Sequence, residues 1–138
     1  MDLSKFDGFA KPFDDGLRVE IRHPVTGEKL GMAVTVASYQ SERVKKVQRK
    51  LANAAMREQR RNPKKAATVD EVEEKAHDIM VAAILSWEGF ERDGKELPCT
   101  PENVRAVITN PDLYFISEQI DRAAEDQQAF LTASQATS

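Results

Sequence analysis

Few side chains in this sequence are suited to catalysis or metal binding. They are two histidines, His23 and His77, one cysteine, Cys99, and scattered carboxylates. His77 shares a helical stretch with Glu73, Glu74 and Asp78, a grouping that could hold a divalent cation. A solvated helix face laced with charge pairs explains the same residues more simply. Cys99 lies beside Pro98 with no basic neighbour to stabilise a thiolate, so it reads as a small apolar packing residue. Asp14-Asp15 and Glu73-Glu74 are adjacent in sequence, and adjacency fixes no geometry for acid–base work. There is no Gly-rich phosphate loop, no G-x-S-x-G elbow and no dinucleotide fingerprint. The expectation is a protein that is not an enzyme, with no cofactor and no metal.

Charge placement points instead to binding. The chain has 138 residues, a net charge of −3 and a pI near 5.5, so the whole molecule is not built to coat nucleic acid. Residues 41–65, however, carry ten Lys or Arg against only Glu42 and Glu58. Residues 66–138 carry five basic against fifteen acidic side chains. A basic arm on an acidic body can attract a bipolar partner or another copy of itself. Three readings of the basic segment stay open: a solvated face, docking onto acidic helices of a neighbouring subunit through residues such as Arg49 and Arg57, or contact with a phosphate backbone. No aromatic residue lies between Arg43 and Lys65, so base stacking is not indicated.

The aromatic residues form two groups. Phe6, Phe9 and Phe13 lie in residues 1–16, an irregular arm that either pins itself to the body or a second subunit, or is a partly disordered leader. Trp87, Phe90, Tyr114 and Phe115 form the other group. Trp87 suits the core, whereas Phe90, Tyr114 and Phe115 are candidates for a partner contact, since exposed aromatics often anchor interfaces. Tyr114 and Phe115 are consecutive, so one of them must leave the inner face of a helix.

The elements that carry these residues follow from periodicity. Leu17, Val19 and Ile21 alternate with Arg18, Glu20 and Arg22, a half-buried strand. A turn at His23-Pro24-Val25-Thr26-Gly27-Glu28 and a β-rich run from Leu30 to Val36 complete a hairpin. A lone hairpin is marginal in water, so it must pack on helices or pair with another chain. Ser41 caps a helix to about Arg61 with Val44, Val47, Leu51, Ala54 and Ala55 on one face. Thr68 with Glu71 opens a second helix, whose apolar spacing runs through Ile84 to Trp87 and which Gly89 ends. A turn at Arg92-Asp93-Gly94-Lys95 precedes a short helix capped by Thr100-Pro101, and Asn110-Pro111 starts a last helix reaching Leu131. The expected fold is mainly α (α+β): a β-hairpin followed by about four helices in one domain over residues 17–132, with a flexible tail at 133–138. Neither a signal peptide nor a stretch near the roughly 20 apolar residues of a membrane span is present, and a soluble, intracellular protein is expected.

This order of pieces resembles the tail assembly chaperones of long-tailed bacteriophages. The hairpin turn at His23 to Glu28, the run Ile84-Leu85-Ser86-Trp87-Glu88-Gly89-Phe90, the segment from Asp93 to Asn103 and the last helix from Asn110 carry the likeness. The resemblance implies a mostly helical protein of the host cell cytoplasm that is absent from the finished virion. It implies binding to the tape measure protein, which such chaperones keep soluble, and recruitment of the tail tube protein. It also implies self-association into rings or spirals, and in many members a longer form made by ribosomal frameshift. A small nucleic-acid-associated protein acting through the basic helix 41–61 is the alternative.

Overall fold

Alternating strand residues meet at the centre of the molecule. The computed structural model describes residues 1–136. Strand β1 (Leu17–Arg22) pairs antiparallel with β2 (Lys29–Val36), with Leu17 opposite Val36 and Val19 opposite Val34. His23 organises the connecting turn. Its backbone N–H donates to Glu28 O at 2.8 Å, and its Nδ1 accepts from the amides of Val25 and Thr26 at 3.1 and 3.3 Å.

The hairpin gains a third strand from within the chain. Helix α2 (Glu42–Arg61) and helix α3 (Val69–Ala83) intervene, and the chain then returns as β3 (Ile84–Glu88) along the other side of β2. The helix expected to reach Trp87 therefore stops at Ala83. The apolar residues of this run fit a 3.6-residue period and a strand equally well. Pairing with β2 decides between them, because it satisfies the open edge of β2 and sets Trp87 opposite Val34. Gly89 closes a strand rather than a helix. Its φ is +78°, and a Cβ there would lie 1.9 Å from Gly31 O of β2. A small hairpin follows, β4 (Glu91–Arg92) and β5 (Lys95–Glu96), with positive φ at both Asp93 and Gly94 as a type I′ turn requires.

Helix α4 (Pro101–Thr109) starts where expected. Thr100 Oγ1 accepts from Asn103 N at 3.2 Å, and Pro101 occupies the first turn. A 3-10 turn at Pro111–Leu113 leads into α5 (Tyr114–Glu125), and α6 (Gln127–Ala136) follows. The single last helix expected from the sequence is broken at Asp126, whose carboxylate accepts from Ala129 N at 3.1 Å and caps the new start. The residues expected to begin a flexible tail continue α6 to Ala136; 137 and 138 lie outside the described residues. With α1 (Lys11–Asp15) there are six α-helices beside the small antiparallel sheets among the described residues, so the α+β class stands.

Ile21, Val34, Val36, Ile84, Phe90, Val104, Ile108, Ile116, Ile120 and Phe130 form one buried cluster. Helix α5 lies on β1 and β2, and α4 lies against α5. Burying that many aliphatic and aromatic side chains, each worth about 1.5–3 kcal/mol, is the main force holding sheet and helices together. Gln119 of α5 also closes the end of β1: its amide accepts from Arg22 N at 2.9 Å and donates to Arg22 O at 2.8 Å. No helix is long and apolar enough to cross a membrane among the described residues.

The N-terminal residues are more regular than an irregular arm. Phe13 of α1 meets Phe130 edge-on, with ring centroids 6.1 Å apart, and Phe13 O accepts from Ser38 N at 2.9 Å. Asp14 accepts from Glu42 N and Arg43 N, both at 3.2 Å, and so caps α2 together with Ser41. Of the three arm phenylalanines, Phe13 is thus tied to the body. Phe6 and Phe9 stack edge-on with each other and stay about half exposed.

Candidate functional site: a basic helical arm and the groove at its base

Helix α2 is 20 residues long, about 30 Å, and only Val44 at its root is buried. Beyond Val44 it leaves the core, and its main neighbour among the described residues is α3. Val47, Leu51 and Ala55 are half-buried, whereas Met56 of α2 and Val69 and Val72 of α3 are 55%, 73% and 58% exposed. The two helices form a protruding hairpin. Its far end is held by Lys65, 3.9 Å from Glu58 and 3.8 Å from Glu71, both exposed contacts of small energetic worth.

At the base of this arm an open groove of about 570 Å³ runs between α2, the start of β3 and α4. Val47, Val81, Ile84, Leu85 and Val104 supply an apolar floor, Thr100 and Pro101 one wall, and Arg43 and Lys46 the opposite rim. Arg43 Nε donates to Ala82 O at 2.7 Å, satisfying a carbonyl in the last turn of α3 where a cation is favoured by the helix dipole. Cys99 lines the same groove. Burial pushes its thiol up, against a smaller opposing effect of the Trp87 backbone, so it is less of a thiolate than an ordinary cysteine.

The candidate partner aromatics separate. Phe90 is not available to a partner, which corrects its expected role. It is 4% exposed and stacks on Trp87 at 4.2 Å, because the turn at Gly89 folds it back into the core. Trp87 Nε1 donates to Leu97 O at 2.8 Å. Phe115 packs against the core cluster, and Tyr114 is the member of the pair that faces out, at 52% exposure. Arg49 and Arg57 lie exposed on the outer side of α2, far from the arm phenylalanines in sequence and with no bond to them among the described residues.

The metal-like grouping around His77 resolves as ion pairs. Glu74 and Asp78 both accept from Arg105 of α4, and among the described residues no set of three or more His, Cys, Asp or Glu is placed to hold a metal. His77 is half-buried, and its Nδ1 has no hydrogen-bond partner among the described residues. The groove itself was not visible in the sequence. Its lining comes from four elements, and one of them, β3, had been expected as helix. The alternation of apolar Leu85 and Trp87 with polar Ser86 and Glu88 is the one local signal that could have shown it.

Fold and groove together define a small α+β protein with a basic helical arm and an apolar surface at its root. A family model described as YdaY prophage protein matches residues 39–138, and the chain belongs to that family. It is therefore a phage-related protein. The matched span takes in the arm, β3 and all later helices and leaves out the β1–β2 hairpin. No curated protein and no solved structure matches the chain.

Proposed function

We propose that the protein is a phage tail assembly chaperone that acts by binding, without catalysis, in the host cell cytoplasm and does not remain in the mature virion. It holds the tape measure protein soluble and helps bring tail tube subunits to it. The observation that carries this reading is the groove at the root of the arm, apolar on its floor and cationic on one rim at Arg43 and Lys46. Such a surface suits an amphipathic helix with an acidic flank, the kind of segment a long helical tape measure offers repeatedly. Many weak contacts along a repeated ligand give avidity without any one tight site. Membership of a prophage protein family and the order of sequence pieces described above support the same reading.

The test is co-expression with the tape measure protein encoded in the same phage region, with a tag on one partner. The expected result is a soluble complex holding several copies of this chain, from a tape measure that is insoluble alone. A tape measure that stays insoluble and does not copurify would overturn the reading.

A further inference from the structure

A second docking surface appears when the outer faces of α2 and α5 are compared. On α5, Tyr114, Glu118, Asp121 and Glu125 fall on one side of the helix. Asp121 is engaged by Tyr39, whereas Tyr114, Glu118 and Glu125 are exposed, and neither glutamate has an ion-pair partner among the described residues. The only basic residue of α5 is Arg122. On α2, Arg49, Lys50, Arg57 and Arg60 cover the side turned away from Val44 and Leu51. Lys50 and Arg57 have no ion-pair partner among the described residues, and Arg49 reaches only Glu42, at 3.4 Å. Glu118 and Glu125 are two turns apart, as are Lys50 and Arg57, so each pair spans about 10 Å of helix axis. Tyr114 sits one further turn from Glu118, as Lys46 does from Lys50. No ion pair joins α2 to α5 within the chain among the described residues, so each face is available to another molecule.

We infer that α2 of one copy docks on the Tyr114–Glu118–Glu125 face of α5 of a second copy. The occupant of each charged face is supplied by this same chain. Like faces repel and unlike faces attract, so α2 meets α5 and not its own like; the pairing either closes reciprocally in a two-fold dimer or runs head-to-tail. A heterologous contact of this kind leaves one α2 and one α5 unused at the ends, and it continues into a chain or closes into a ring. Tyr114 gives the arginines and lysines an aromatic face to cover. The inference deepens the chaperone reading by naming how copies meet, but it is tested on the purified chain alone, so its failure and the failure of tape measure binding are distinguishable.

The experiment is sedimentation velocity of three proteins at low and high salt: the natural chain, K50E/R57E and E118K/E125K. All four positions are exposed, and circular dichroism checks that both variants fold. The natural chain should self-associate at low salt and dissociate as salt rises. Each variant alone should weaken association by about tenfold or more, because the reversed residues then meet charges of their own sign. Mixing the two variants should restore it, since each reversed face finds a complement on the other protein. A natural chain that stays monomeric at high micromolar concentration and low salt overturns the inference. So does assembly that survives in both variants, or folded variants that do not associate on mixing. If the monomeric chain instead binds a DNA duplex with a steep salt slope that K50E/R57E removes, α2 serves nucleic acid and the docking is wrong.

Discussion

The phenol of Tyr39, just before α2, donates a 2.5 Å hydrogen bond to Asp121 Oδ1 on α5, and Tyr39 N donates to Ala124 O at 3.0 Å. This clasp joins the end of the sheet to the helix that carries the acidic face. Burial, with Asp121 and then Glu125 adding to it, holds the phenol protonated well above the ordinary tyrosine value of 10.0. The folded state therefore keeps a proton that the unfolded chain releases, so the contribution is complete below about pH 10 and is lost as pH rises above that value. Tyr39→Phe should lower stability by about 1–2 kcal/mol at neutral pH. It should also flatten the alkaline fall in melting temperature between pH 9 and about 11 relative to the natural chain. Thermal melts across pH read both effects, and an identical alkaline slope in the two proteins would contradict the assignment.

Gly89 makes a sharper demand. With φ at +78° and Gly31 O 1.9 Å from where a Cβ would stand, even alanine must push β2 and β3 apart. Gly89→Ala should cost about 3 kcal/mol or more and shift the Trp87 emission to the red as the Trp87–Phe90 stack opens. Gly94→Ala makes a useful contrast, since it has the same φ but meets nothing within 4 Å, and it should cost about 1 kcal/mol.

Both residues mark the boundary of what the sequence could reveal. The hairpin, the Ser41, Thr68 and Thr100 caps and the inner stripe of α2 were legible, because period and capping chemistry are local. Strand β3 was not. Ile84, Leu85 and Trp87 suit a helix until β2 offers an edge, and that edge lies about fifty residues away in sequence. Phe90 was misplaced for the same reason, since its burial depends on the turn at Gly89 and not on its neighbours. Asp14 looks like one of two idle carboxylates in the sequence and is a cap for α2, accepting from the Glu42 and Arg43 amides across the chain from α1. The groove gathers side chains from α2, α3, β3 and α4 and had no linear signature at all.

The N-terminal segment should divide functionally at Phe13. Removing residues 1–9 deletes Phe6 and Phe9, which stack edge-on with each other and are about half exposed, and should change the melting temperature little. Phe13→Ala loses a half-buried ring against Phe130 and should cost about 2 kcal/mol. Asp14→Ala should cost about 1 kcal/mol by exposing two amides at the start of α2. Urea denaturation of the three variants ranks them. A truncation as damaging as Phe13→Ala would mean that the first nine residues are packed more firmly than their exposure indicates.

Binding at the groove should be separable from folding. Lys46 is exposed on the rim, so Lys46→Glu should alter stability by no more than about 0.5 kcal/mol. Leu85 is half-buried and lines the groove, and Leu85→Gln should cost about 1–2 kcal/mol while removing apolar contact area. Each variant should recover clearly less soluble tape measure protein in co-expression than the natural chain, and the double variant less again. Val72→Gln, at an exposed site on the arm outside the groove, should match the natural chain in stability. If Lys46→Glu and Leu85→Gln fold and still recover tape measure protein in full, the tape measure is held elsewhere. The exposed Met56, Val69 and Val72 on the arm would then be the surface to alter next.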